Sequence, residues 1–213
     1  MTKRFIAVAG NVGVGKSTLT ALLSQRLGWR PFYEAVDDNP YLKDFYADMK
    51  TWSFHSQVFF LSRRLKHHRE IVDYPTSAVQ DRSVYEDAEI FARNLYRQGH
   101  MTERDYQSYR ELYEAMNLFL PPPDLIVYLQ ASVPTLLQRI AQRGRDYERE
   151  IEPAYMEQLN ELYDEWASTF DLCPMLTVPA DDLDFVMYNT DLELIAGKII
   201  DKLQGKETVV FDP

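Results

Sequence analysis

The octapeptide Gly10-Asn11-Val12-Gly13-Val14-Gly15-Lys16-Ser17 constrains this chain more than any other segment. It matches the Walker A pattern G-x-x-x-x-G-K-[ST] in full, and each residue type has a physical reason. Glycines reach backbone angles closed to other residues, so successive N–H groups can converge on one anion. A helix starting at the end of such a loop turns its positive dipole end toward the same anion. The cradle therefore runs from Gly10 to Thr18, with Lys16 reaching the β- and γ-phosphates and the Ser17 hydroxyl available to Mg²⁺. The flanks fit this reading. A short apolar run over 5–9 precedes the loop, and Leu19, Leu22, Leu23 and Leu27 recur at helical spacing after it.

Beyond the loop the pattern alternates short apolar runs with longer helical periodicity, as in an α/β domain with a parallel sheet. Strands are predicted over 4–9, 32–36, 77–80, 125–129 and 175–178. Helices are predicted over 16–27, 41–48, 51–72, 84–97, 103–119, 133–143, 153–169 and 190–203. Ser132 reads as a helix N-cap, with Pro134 in the first turn and Gly144 as the stop. Pro121-Pro122-Pro123 marks a loop, not a domain boundary. At 213 residues, with no repeat and no Gly/Ser linker, a single domain over 1–213 is expected.

The bulk numbers exclude some classes. A formal charge of −10 argues against a nucleic-acid partner, which needs a basic face, but a small phosphorylated ligand needs only a local positive cluster. The apolar run over 5–9 is too short for a signal-peptide core or a membrane span, so no membrane partner is expected. One cysteine, Cys173, forms no intrachain disulfide and suits a reducing cytosol, so a soluble cytoplasmic protein is expected. The guanine-reading Asn-Lys-x-Asp segment and the Asp-x-x-Gly switch of a GTPase are missing from usable places. His55, His67, His68 and His100 lack metal-ligand spacing and read as surface or helix-flank residues.

A small kinase with a closing lid remains. Arg139, Arg143, Arg145 and Arg149 fall within eleven residues of an otherwise acidic chain. Arg139 and Arg143 share a helix face, and guanidinium groups suit a transferring phosphoryl group whose charge spreads over several oxygens. Two polar residues flank apolar helix faces. Gln57 lies beside the expected stripe Phe54, Val58, Leu61 and Leu65, and Asp87 lies beside Val84, Ala88, Phe91 and Leu95.

Four segments, FYEAVDDNPYL from Phe32, TWSFHSQVFFLSRR from Thr51, QDRSVYEDAEIFARNLY from Gln80 and RIAQRGRDYE from Arg139, carry a resemblance that covers most of the chain. Together they resemble the deoxynucleoside kinase family, particularly its bacterial deoxyadenosine/deoxycytidine kinase branch. The resemblance implies a three-layer P-loop kinase fold, a five-stranded parallel sheet with helices on both faces and a lid near 143–151. It implies that Glu34 is the general base for the 5′-hydroxyl and also stands near the metal. The family usually follows this glutamate with proline. Ala35 stands here, which loosens the turn and removes no functional atom. Asp81 would place Mg²⁺, and Arg82, Lys16, Arg139, Arg143 and Arg145 would steady the phosphates.

For the acceptor, the resemblance assigns the base edge to Gln57 and Asp87, and the sugar 3′-hydroxyl to Tyr46 and Glu148. Trp52 and Phe91, with Phe60 a weaker third, would supply aromatic walls. Arg143 with Asp184 and Phe185 would clamp the donor adenine. An amide offers donor and acceptor together, and an ionised carboxylate only accepts, which suits the exocyclic amine of adenine or cytosine. The expected reaction is transfer of the ATP γ-phosphoryl group to a deoxynucleoside, deoxyadenosine first and deoxycytidine second. The resemblance also implies a salvage role, inhibition by the end-product triphosphate, and a homodimer through the helices over 51–72 and 103–119. Two rivals are a nucleoside monophosphate kinase, which needs an arginine pocket for a second phosphate, and a non-catalytic nucleotide-binding regulator, which has no need of Glu34.

Overall fold

The computed structural model of the chain describes residues 2–33, 39–145 and 151–205. In chain order its elements are β1 (Phe5–Gly10), α1 (Lys16–Leu27), β2 (Arg30–Phe32), α2 (Leu42–Ala47), α3 (Met49–Asp73), β3 (Ala78–Asp81), α4 (Val84–Glu86), a π-helical stretch (Asp87–Ala92), α5 (Arg93–Arg97), α6 (Glu103–Asn117), β4 (Leu125–Gln130), α7 (Val133–Arg143), α8 (Pro153–Thr169), β5 (Met175–Pro179) and α9 (Asn189–Leu203). They form two compact units. One comprises Met1–Tyr33, Tyr74–Arg82 and Pro122–Pro213, and the other Glu34–Asp73 and Ser83–Pro121.

The first unit holds the whole sheet, in the order β2-β3-β1-β4-β5 with every pairing parallel. β1 lies inside it and is buried along its full length, which is why it reads as an unbroken apolar run. Ile6, Val8, Val79, Leu125, Val127 and Leu129 project to one face and pack with Leu19 and Leu23 of α1 and Ile195 and Ile199 of α9. Tyr128 projects to the other face, where Tyr163 of α8 stacks on it at 5.8 Å. Helices thus cover both faces, as expected. Ser132, Pro134 and Gly144 bound α7 as the sequence indicates.

One strand starts earlier than expected. β2 occupies Arg30–Phe32, beginning two residues before the predicted 32–36, and pairs with Ala78, Val79 and Gln80. Proline is tolerated there because β2 is an edge strand, so Pro31 starts no break. Of the expected strand only residues 32 and 33 are described; 34–36 lie outside the described residues.

The second unit is helical among its described residues, built from the excursions between β2 and β3 and between β3 and β4. The 25-residue α3 buries Ser53, Ser56, Gln57, Leu61, Arg64, Leu65, His68 and Ile71. Its expected stripe is therefore rotated, since Phe54 and Val58 are only half-buried. Small and polar residues take the inward positions because they find partners. Ser53 Oγ donates to Met49 O at 2.6 Å, and Ser56 Oγ accepts from Asn39 Nδ2 at 3.0 Å. The predicted helix over 84–97 is one run whose middle turn widens into the π stretch. It is buried on nearly every side, and its first turn is fixed by Glu86, which accepts from Ser83 N at 2.7 Å and Ser83 Oγ at 3.0 Å. Helix α6 stops at Asn117, two residues short of expectation, ahead of the three prolines. Among the described residues no helix is long and apolar enough to cross a membrane.

Candidate functional site

In the sheet unit, the polar groups gather at the carboxyl ends of β1 and β3, where open α/β sheets bind ligands. Gly10 has φ 144° and Gly13 φ 84°, both closed to ordinary side chains. A Cβ on Gly10 would lie 2.6 Å from Leu129 O, and one on Gly13 would lie 2.7 Å from Ile140 Cγ1. The loop is therefore wedged between β4 and α7, and only glycine fits at either point. Lys16 begins α1 and is buried, its Nζ donating to Gly10 O and to Asn11 O at 2.9 Å each. The ammonium thus folds over the carbonyls of its own loop.

Ser17 Oγ donates to Asp81 Oδ2 at 2.5 Å. This hydroxyl and this buried carboxylate are hard oxygen donors already in contact, one from the first turn of α1 and one from the end of β3. They fit Mg²⁺, which is held by one or two protein oxygens together with substrate phosphates and keeps several waters. Among the described residues no group of three or more His, Cys, Asp or Glu could hold a metal ion.

Arg82 is buried and is the one non-glycine among the described residues with positive φ, at 66°. Such a backbone costs energy and persists only where its surroundings over-determine it. Arg82 N donates to Val8 O at 2.9 Å, extending the β1–β3 ladder one residue before the chain turns. Its Nη1 donates to Tyr163 OH at 3.1 Å.

The arginines of α7 separate. Arg139 donates to Val14 O at 3.0 Å and to Ala180 O at 2.8 Å, so it buttresses the phosphate loop. Arg143 and Arg145 are exposed at the helix end. Phe185 is a core residue whose ring closes under Gly15, 3.2 Å from where a Cβ would sit. Asp184 organises its own turn, its Oδ1 accepting from Val186 N at 3.1 Å and Met187 N at 3.0 Å. Both residues thus shape the loop's floor and the segment after it. Burial pushes the Cys173 thiol up to about 12, which leaves it a poor nucleophile. Glu34, Glu148 and Arg149 lie outside the described residues.

In the helical unit Gln57 and Asp87 do not flank apolar stripes; both are buried, and Asp87 is ion-paired. Arg64 Nε lies 3.1 Å from Asp87 Oδ2, and Arg64 Nη2 lies 3.5 Å from Oδ1, with side-chain exposures of 4% and 5%. A carboxylate this deep would be costly alone, and the fork of the guanidinium makes its burial tolerable. Asp87 also opens the π stretch, a distortion that tends to mark working parts of helices. Tyr109 of α6 is fully buried, and its hydroxyl is held well above the usual phenol range by burial first and by the charge of Asp87 second.

The remaining expected acceptor residues are more open. Trp52 is half-buried and stacks on Tyr41 at 5.8 Å, Phe91 and Phe60 are half-buried, and Tyr46 is exposed, edge-on to Phe45 at 5.2 Å. Sequence reasoning missed Arg64 and Tyr163. Arg64 is seven residues from Gln57, two helical turns along one face, and that spacing was the signal available.

The sequence profile of the family described as deoxynucleoside kinase matches residues 6–204. The chain belongs to the deoxynucleoside kinase family. Among its relatives, the deoxyadenosine/deoxycytidine kinase of Bacillus subtilis (strain 168) is 43% identical over 196 residues, 91% of this chain and 90% of its own. The deoxyguanosine kinase of the same strain is 37% identical over 202 residues, covering 93% and 97%. The solved structure of deoxyadenosine kinase from M. mycoides with products dCMP and a flexible dCDP superposes with a TM-score of 0.82 at 34% identity, over 92% of this kinase and 99% of that chain. The same protein with bound dATP gives a TM-score of 0.81. The five-stranded parallel P-loop kinase fold expected from the sequence is thereby confirmed.

Proposed function

We propose that this deoxynucleoside kinase transfers the γ-phosphoryl group of ATP to the 5′-hydroxyl of deoxyadenosine, with deoxycytidine as second substrate. The observation that carries the base preference is the buried Gln57, Arg64 and Asp87 of the helical unit. Gln57 offers an amide donor and acceptor. Asp87 accepts, and Arg64 donates. A base presenting an exocyclic amine beside a ring nitrogen matches that set, the amine meeting Asp87 and the ring nitrogen the amide of Gln57, and thymine has no exocyclic amine to offer. The more similar of the two Bacillus relatives is named a deoxyadenosine/deoxycytidine kinase and the M. mycoides relative a deoxyadenosine kinase, which supports the same reading.

Catalysis in this reading is positioning and charge stabilisation. Glu34 takes the proton from the 5′-oxygen. Lys16, Arg82, Arg143 and Arg145 stabilise the phosphoryl oxygens, while Arg139 holds the loop that cradles them. Ser17 and Asp81 would hold Mg²⁺, which supplies charge neutralisation on the phosphate oxygens when bound. Tyr46 and Glu148 keep the sugar by its 3′-hydroxyl, with Trp52 and Phe91 against the base, and Arg143 meets the donor adenine beside the Asp184-Phe185 turn. A homodimer through α3 and α6 is supported by the exposed Leu112, Met116, Leu118 and Phe119 along and just past α6. We place its work in the cytosol.

An ADP-release assay with deoxyadenosine, deoxycytidine, deoxyguanosine, thymidine and dAMP tests the reading. Deoxyadenosine should have the highest kcat/KM, and preferred turnover of dAMP would overturn the acceptor assignment. Glu34→Gln should lower kcat by about a hundredfold with ATP affinity unchanged. Wild-type turnover in that variant would remove Glu34 from the chemistry.

A further inference from the structure

Tyr163 lies in the middle of α8 and is fully buried. Its ring is clamped between Tyr128, stacked at 5.8 Å, and Trp166, edge-on at 6.3 Å. Its hydroxyl donates to Gly10 O at 2.8 Å and accepts from Arg82 Nη1 at 3.1 Å. Gly10 O accepts in addition from Lys16 Nζ at 2.9 Å. One phenol therefore joins the first glycine of the phosphate loop to Arg82, through the carbonyl on which the loop lysine also rests. Three residues back on the same helix face, Asn160 Oδ1 accepts from Asn11 Nδ2 at 2.7 Å, and Asn160 Nδ2 donates to Ala131 O at 2.9 Å. Helix α8 thus grips the loop at two consecutive residues, 10 and 11.

We propose that Tyr163 is a positioning residue for phosphoryl transfer, holding the Arg82 guanidinium and the Gly10 carbonyl in one fixed geometry. The proposal rests on the reading that Arg82 steadies the phosphates. A hydroxyl has one proton to give and lone pairs to receive, so it can bridge a carbonyl and a guanidinium at once. Arginine carries large rotamer freedom, and a guanidinium already oriented loses less of it when charge develops on the phosphoryl oxygens. The bond also explains how a left-handed Arg82 is kept in place, since its main-chain N–H and its side chain are both tied to β1, directly and through the phenol. When Lys16 turns to phosphate, the Tyr163 hydroxyl leaves Gly10 O with a donor and Val14 N, at 3.3 Å, does the same for Asn11 O, so the exchange orphans neither carbonyl.

The test is a double-mutant cycle of Tyr163→Phe and Arg82→Lys, read as kcat, as KM for ATP and for the nucleoside, and as Tm. Tyr163→Phe keeps the ring clamp and removes only the hydroxyl. It should lower kcat by roughly tenfold or more, with both KM values within about twofold and Tm little changed. In the Arg82→Lys background the same change should cost less than about twofold, because the group it positions is gone. Tyr163→Leu is the second variant should the first fold poorly, and folded protein should show the same kcat loss. Wild-type kcat in folded Tyr163→Phe or Tyr163→Leu, with Arg82→Lys slow, overturns the proposal and leaves the role of Arg82 standing. A full-sized loss from Tyr163→Phe in the Arg82→Lys background overturns it too. Wild-type turnover in Arg82→Lys would instead remove the reading on which it rests.

Discussion

The sheet unit and the helical unit place polar groups in buried positions by opposite means. In the sheet unit the machinery is mostly main chain, with glycines at positive φ, carbonyls accepting from Lys16 and Arg139, and a helix start facing the loop. In the helical unit it is mostly side chain. Gln57, Arg64 and Asp87 come from two separate helical segments, and Arg64 and Asp87 tolerate burial by pairing. The first kind of site is specified by local backbone geometry, so a short string of residue types encodes it. The second exists only after segments distant in sequence have packed. Loss of a side chain should therefore harm chemistry in the first unit and harm the fold in the second.

Asp87→Ala puts the largest strain on that contrast. It leaves the Arg64 guanidinium buried without its carboxylate, and breaking such a pair costs about 3–5 kcal/mol. Urea unfolding should show a lower midpoint, and replacing both partners, Arg64→Met with Asp87→Leu, should restore most of it while abolishing base discrimination. An Asp87→Ala protein as stable as wild type would show that the pair is not what makes this burial tolerable. Lys16→Ala should behave in the opposite way. Removing a charge that stabilises the transition state costs about 10²–10³ in kcat, near 2.7–4 kcal/mol, with the unfolding midpoint within error of wild type. A large stability loss instead would mean that the Lys16 contacts to Gly10 O and Asn11 O hold the loop together.

The same contrast explains what the sequence made legible. The phosphate loop, its strand and helix, the cap and stop of α7 and the parallel sheet were all written locally, in residue types a few positions apart. β2 begins at Arg30, two residues before the expected start, because an edge strand tolerates Pro31. The buried face of α3 was misjudged for a related reason. Apolar spacing points to Phe54 and Val58, but serines bonded to Met49 O and Asn39, and an arginine bonded to Asp87, can turn inward instead. Burial of polar residues depends on partners that hydrophobic periodicity does not register. Tyr163 was invisible for the same cause, since nothing in a helical aromatic announces that its hydroxyl meets Gly10 and Arg82 across the fold.

The smallest expected effect separates the units by pH. All four histidines fall in the helical unit, and the sheet unit has none. His68 is buried and its Nε2 lies 2.8 Å from Pro121 O, a contact in which the ring N–H donates to the carbonyl. Burial, the largest influence, holds its pKa below the ordinary 6.5, and the Pro121 carbonyl only partly offsets it. His67 is displaced in the same direction, with burial again the largest cause. A depressed folded pKa means that, as pH falls below about 6.5, the unfolded chain takes up protons the folded chain refuses. Stability should therefore be flat above that pH and decline below it, at no more than about 1.4 kcal/mol per pH unit for one such group. His68→Gln retains an N–H for Pro121 O without a titrating ring, so unfolding midpoints measured between pH 7.5 and about pH 5 should lose most of that slope. If the slope persists undiminished in a His67→Gln/His68→Gln double variant, the acid sensitivity comes from carboxylates, and the helical unit would no longer be set apart from the sheet unit by its protons.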